Sequence, residues 1–181
     1  MMDELYAQCV PYNKILRGRI GGNPPLAIEQ MIPERYKFYA TLIHPEKNET
    51  MISILIHGDF DTLIDHNIYP SVAIHILAHP YSEEGETGDF CLCQLGRQSI
   101  SEYASNQVGN FLFVKVGGSP RLIQPKKFYY EQLEKDGFVF FIQIEEEGYM
   151  DFSEYVFAYG SLYLYKHKTT GQIVPGFWQF S

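Results

Sequence analysis

The sequence predicts a β-rich α+β domain, with two strand-rich half-units packed as one body and a few short helices. Three observations predict it. The 14 Tyr and 13 Phe fall largely in short runs with Val and Ile, a composition that favours pleated strands over helices. The segment "GRIGGNPPLAI", Gly18 to Ile28, is echoed by "VKVGGSPRLIQ", Val114 to Gln124, and similar strand patterns follow each. With 181 residues, 45% hydrophobic and 20% charged, the chain can bury a substantial core and stays within the size of one domain.

After the first echo, "YKFYATLI", Tyr36 to Ile43, reads as a strand. The polar stretch "HPEKNET" then turns into a second strand, "MISILIHG". "SVAIHILAHP", Ser71 to Pro80, and "FCLCQL", Phe90 to Leu95, read as two more extended segments around an acidic loop. Ser99 and Glu102 have the spacing of a capping box, which predicts a short helix ending near Gly109. After the second echo, "KKFYYEQLEKDG" predicts a helix, with Pro125 at its first turn, Tyr129 and Leu133 four apart, and Gly137 as its stop. "FVFFIQIEEEG", "SLYLYKHKTTG" and the closing "GFWQFS" are then strands matched to "YKFYATLIHPE", "SVAIHILAHPY" and "DFCLCQL". The halves so defined are residues 14–98 and 111–181, joined by a helix at 99–110. A lone small sheet leaves one face wet, so each half is expected to cover the other.

A net charge of −8, with only 14 scattered basic residues, argues against nucleic-acid binding, which needs clustered Lys and Arg. Such a balance suits a basic protein partner. The N-terminus has no basic start and no apolar run suited to a signal peptide, and no apolar stretch approaches the ~20 residues of a spanning helix. The expectation is a cytoplasmic protein that neither inserts in a membrane nor builds a disulfide framework from Cys9, Cys91 and Cys93.

Candidate chemistry is sparse. Gly117-Gly118 does not open a phosphate loop and reads as a structural turn. Gln124 and Gln143 are neutral amides in apolar surroundings, so each must find a partner if buried, and both are candidate binding residues. "HGDFDTLIDH" gathers His57, Asp59, Asp61, Asp65 and His66, but matches no metal-binding spacing and reads as a polar loop. Cys91 and Cys93 read as small core residues on one strand. No nucleophile signature is present, and Glu145 to Glu147 read as a solvated strand end. No cofactor or metal is expected. Trp178 is expected to be buried, with Gln179 the neighbour left in water. If exposed instead, Trp178 would be a binding anchor.

"VGGSPRLIQ", "FVFFIQIEEEG", "YVFAYGSLYLYKH" and "GFWQF" resemble, in that order, the landmarks of the YwqG-like bacterial family, over Lys115 to Phe180. The resemblance implies an internally duplicated β-rich fold and a non-catalytic binding or interaction protein. A toxin-immunity protein acting on a toxin or neighbouring gene product is one such role. The alternative is a small-molecule-binding domain or hydrolase with its pocket between the halves. Two departures stand out: Ala158, Tyr159 and Gly160 where the family often has Gly-Asp before its Gly-x-Leu-Tyr strand, and Thr41 where the first half would carry Gln. Tyr159 joins Gln124, Gln143 and Trp178 as a candidate binding residue.

Overall fold

The computed structural model describes residues 3–63, 65–106, 112–150 and 155–181. Two antiparallel sheets make the body. The first is built from β2 (Cys9–Val10), β3 (Gly18–Ile20), β4 (Tyr36–His44), β5 (Lys47–His57), β6 (Ile74–Pro80) and β7 (Gln98–Ile100), in the order β2-β7-β3-β4-β5-β6. The second contains β1 (Leu5–Ala7), β8 (Val114–Val116), β9 (Phe138–Glu145), β10 (Ser161–His167) and β11 (Ile173–Gln179), in the order β1-β8-β9-β10-β11. β3 to β6 and β8 to β11 are therefore both four-strand meanders running in chain order. "SLYLYKH" lies beside β9 as "MISILIH" lies beside β4, so its counterpart in strand order is β5, not the "SVAIHIL" strand that the sequence pattern suggested.

Period-2 alternation sorts the side chains between the two faces of each sheet. Ile52, Ile54 and Ile56 of β5 join Leu162 and Leu164 of β10, Ile142 and Ile144 of β9 and Trp178 of β11 in one core shared by both sheets. The outer face of the first sheet packs Phe38 and Leu55 under Ile28 of a 3-10 turn, Leu26–Met31. On the outer face of the second sheet, Tyr163, Tyr165 and Phe177 meet Tyr129 and Leu133. Those last two belong to the expected helix, which forms as a 3-10 turn, Lys127–Tyr129, followed by α1 (Glu131–Lys135) and stopped by Gly137 at φ +85°.

Residues ahead of the first half tie the sheets together. β1 pairs with β8 in one sheet and β2 with β7 in the other, and the ladder continues between them through Tyr6 and Ala104. This places Ser99 in strand β7 and not at a helix cap. Its hydroxyl donates to the Asn13 carbonyl (3.1 Å) and accepts from the Asn13 amide (2.8 Å), which a strand position facing the Asn13 loop allows. Part of the expected connecting helix, 107–110, lies outside the described residues.

"FCLCQL" is likewise not a strand. Phe90 ends a 3-10 turn, Cys91 makes an isolated bridge to Phe38, and the chain then turns. Cys91 is half-buried, its thiol donating to Asn23 Oδ1 (2.9 Å), and Cys93 is exposed, so neither is a core residue. Gly88 and Gly96 flank this stretch, and the loop's polar contacts to Asn23 replace a ladder.

The two Gly-Gly pairs are built alike. Gly21, Gly22, Gly117 and Gly118 all have φ between 62° and 75°, a left-handed conformation that side chains resist. Gly21 N–H donates to Tyr39 O (2.9 Å) and Gly117 N–H to Phe141 O (3.0 Å). Arg19, two residues ahead of the first pair, donates to Gly21 O, and Lys115 does the same to Gly117 O.

Candidate functional site

The segment after Gly117-Gly118 lies across the outer face of the second sheet, held there by side chains of three successive strands. From β9, Gln143 accepts the Arg121 N–H (2.7 Å) and donates to Arg121 O (2.9 Å). From β10, the Tyr163 hydroxyl donates to Arg121 O (2.8 Å) and accepts the Ile123 N–H (3.3 Å). From β11, Gln179 accepts the Gln124 N–H (3.0 Å) and donates to Gln124 O (2.8 Å). Each glutamine amide thus replaces the missing neighbour strand for one residue of the segment.

These contacts settle where the sequence-derived candidates lie. Gln143 is buried and saturated, its amide also donating to Glu145 (2.9 Å). Gln124 donates to Phe180 O (2.9 Å) and accepts from the Tyr129 hydroxyl (2.9 Å). Gln179, expected in water, is fully buried, because the 121–124 segment covers it and supplies both amide partners. Trp178 is buried against Phe60, Phe157 and Phe180. Tyr159 is half exposed at φ 61° beside Ala158 at φ 53°, and borders a separate shallow cleft with Arg121 and Glu147. The four residues do not converge on one site.

Beneath the same segment opens a recess of about 490 Å³. Leu122, Tyr130, Phe138, Phe140 and Tyr165 supply most of its wall, while Glu134 of α1 and Lys168 of the turn after β10 stand exposed at its rim. Its size and its mostly apolar lining with a few polar groups are those of a ligand pocket. Phe140 and Tyr165 meet nearly at right angles, with centroids 6.1 Å apart and planes at 77°. Tyr165 is 4% exposed, and among the described residues its hydroxyl has no hydrogen-bond partner. Burial, and then the Glu134 carboxylate and the Tyr130 ring group, push that hydroxyl well above the usual tyrosine range, so it is a neutral donor. None of these residues was singled out by motif. The signal was in the alternation: Tyr163 and Tyr165 occupy the strand face opposite Leu162 and Leu164, an aromatic face in a chain with one core already accounted for.

The first sheet carries a polar chain on its outer face. Ser53 Oγ is 3.1 Å from Thr41 Oγ1 and 2.7 Å from His79 Nε2, and His79 Nδ1 is 2.8 Å from Pro80 O. A carbonyl only accepts, so Nδ1 carries the proton and bare Nε2 accepts from the Ser53 hydroxyl. Desolvation lowers the His79 pKa and keeps the ring neutral. This is the hydrogen bonding of a nucleophile and its base, but Ser53 is fully buried and the space beside His79 is only about 40 Å³. No substrate carbonyl can reach the hydroxyl in this arrangement. Neighbouring Arg19 is committed to Gly21 O, Asn23 O (2.6 Å) and Glu84 (3.7 Å).

The acidic run is not a solvated strand end. Glu146 is fully buried and accepts from the backbone N–H groups of Phe157 (2.8 Å) and Gly160 (3.1 Å) and from the Tyr149 hydroxyl (3.2 Å). Tyr149 in turn is 2.8 Å from the Tyr39 hydroxyl of the other sheet. Desolvation raises the Glu146 pKa against these hydrogen bonds. The carboxylate clasps the loop holding left-handed Ala158 and Tyr159, the positions at which the chain departs from Gly-Asp. Gly takes such angles freely, and Asp more readily than Ala or Tyr. Among the described residues no group of three His, Cys, Asp or Glu could hold a metal ion. No helix among the described residues is long and apolar enough to cross a membrane. No family model, curated protein or solved structure matches this chain.

Proposed function

We propose that this chain is a non-catalytic binding protein of the YwqG-like kind whose ligand pocket is the aromatic recess on the outer face of the second sheet. The observation that carries the reading is the recess itself, lined by four rings, among them Tyr165, whose hydroxyl has no hydrogen-bond partner among the described residues. The pocket lies outside the shared core, not between the halves. Turnover at Ser53 has no support, since its hydroxyl is sealed.

We also propose that the two meanders descend from one duplicated unit. Matching strand order, matching Gly-Gly hydrogen bonds and the register pairs Arg19 with Thr41 and Lys115 with Gln143 support it. On this view Thr41 stands where Gln143 does and lacks the reach to hold a crossing segment, so the recess is elaborated in the second half alone.

The test is a thermal-shift screen of a metabolite library against the native chain and Leu122→Trp, which fills the recess from a half-buried wall position. Compounds that stabilise the native chain should lose their effect in the variant. Hits that act equally on both would place the ligand elsewhere.

A further inference from the structure

Resting on the recess as the ligand pocket, the identity of its walls narrows the ligand. Four rings line it: Tyr130, Phe138, Phe140 and Tyr165. The near-perpendicular pair Phe140 and Tyr165 makes a corner in which a ring face and a ring edge adjoin. Ring faces carry negative quadrupole density and attract a cation too large and too poorly hydrated to prefer water. Glu134 at the rim adds a formal negative charge on the same side as the Tyr165 hydroxyl, whose ionisation it opposes. Lys168 supplies the opposite charge from the turn after β10, fixed there by its own N–H donating to Gly137 O (3.0 Å). Lys115 Nζ also stands 5.7 Å from the Phe140 centroid, but Glu4 (3.1 Å) and Gly117 O (2.7 Å) already meet its charge.

We propose that the recess recognises a small zwitterion, an alkylated ammonium seated among the rings and a carboxylate turned towards Lys168. The Tyr165 hydroxyl gives the ligand one hydrogen bond inside the pocket. The recess volume leaves room for a further substituent on the ligand.

Glycine betaine and 3,3-dimethylbutanoate share shape and carboxylate and differ only in the charge at the branched centre. Isothermal titration of both against the intact chain should find betaine bound roughly tenfold more tightly. Phe140→Leu should weaken betaine by roughly fivefold and leave the isostere unchanged. Lys168→Met should weaken both. Leu122→Trp, at a half-buried wall position, serves if Phe140→Leu does not fold, and should abolish both. Equal binding of the two probes would overturn ammonium recognition and leave the pocket standing. Library compounds that bind in the recess while neither probe does would overturn the ligand class. No binding by probes or library alike would overturn the pocket as well.

Discussion

Trp178 and Glu146 show how single residues hold the two sheets together. Trp178 sits on the inward face of an edge strand among three aromatic rings, so truncation empties a large core volume. Trp178→Ala should cost ~3–5 kcal/mol, read from the urea midpoint at unchanged m. Unchanged stability with loss of a binding partner would instead make the tryptophan an anchor.

Buried titratable groups give stability opposite pH slopes. His79 has its pKa lowered from 6.5, so the unfolded ring takes up a proton first. Its contribution is complete above pH 6.5 and is lost as pH falls towards the folded value. Glu146 has its pKa raised from 4.5, so its contribution is complete below pH 4.5 and is lost as pH rises through the folded value. His79→Asn should flatten the decline below pH 6.5, though His44, lowered in the same sense, keeps it from vanishing. Glu146→Gln should flatten the change above pH 4.5. Denaturant titrations at a series of pH values check both. The crossing segment makes a third residue-level case. Gln143→Ala or Gln179→Ala should speed amide exchange at Arg121 or Gln124 roughly five- to tenfold, since each amide loses a hydrogen bond worth ~1 kcal/mol.

At the scale of elements, the strands were legible because their alternation and aromatic content leave few other options. Tyr36–His44 and Phe138–Glu145 fall where the pattern put them, while β5 starts at Lys47, inside the polar stretch expected to turn, and not at Met51. The failures have local causes. Ser99 and Glu102 offered a cap, but the register with Val10 and Arg19 claimed Ser99 for a strand, a non-local pairing that spacing does not reveal. Gln179 looked solvent-facing because nothing in "GFWQFS" tells that residues 55 positions earlier cover it. The Gly-Gly turns were read correctly, and they differ in tolerance. A Cβ on Gly21 would come within 2.7 Å of the Gly96 carbonyl oxygen, whereas one on Gly118 would meet only the movable Glu4 carboxylate. Gly21→Ala should therefore lower the melting temperature more than Gly118→Ala, although both pay ~1 kcal/mol for the left-handed backbone.

Across the whole molecule, one core serves two sheets and the N-terminal strands bridge them. A fragment of residues 111–181 would expose the inner face of its sheet and lose β1, so it should show no cooperative thermal transition by circular dichroism. The alternation of β10 showed an aromatic face but not the recess on it, whose walls come from Leu122, Tyr130, Phe138, Phe140 and Tyr165, brought together only when the crossing segment closes over the sheet. On the proposed function, ligands enter there and not at the seam between the sheets. An amide-resolved NMR titration with compounds from the thermal-shift screen tests it most directly. Shifts clustered at Leu122, Tyr130, Phe138 to Phe140, Tyr165 and Lys168 are the predicted result. Shifts confined to the cleft of Ile56 to Phe60 and Leu92 to Leu95, with the recess silent, would contradict it.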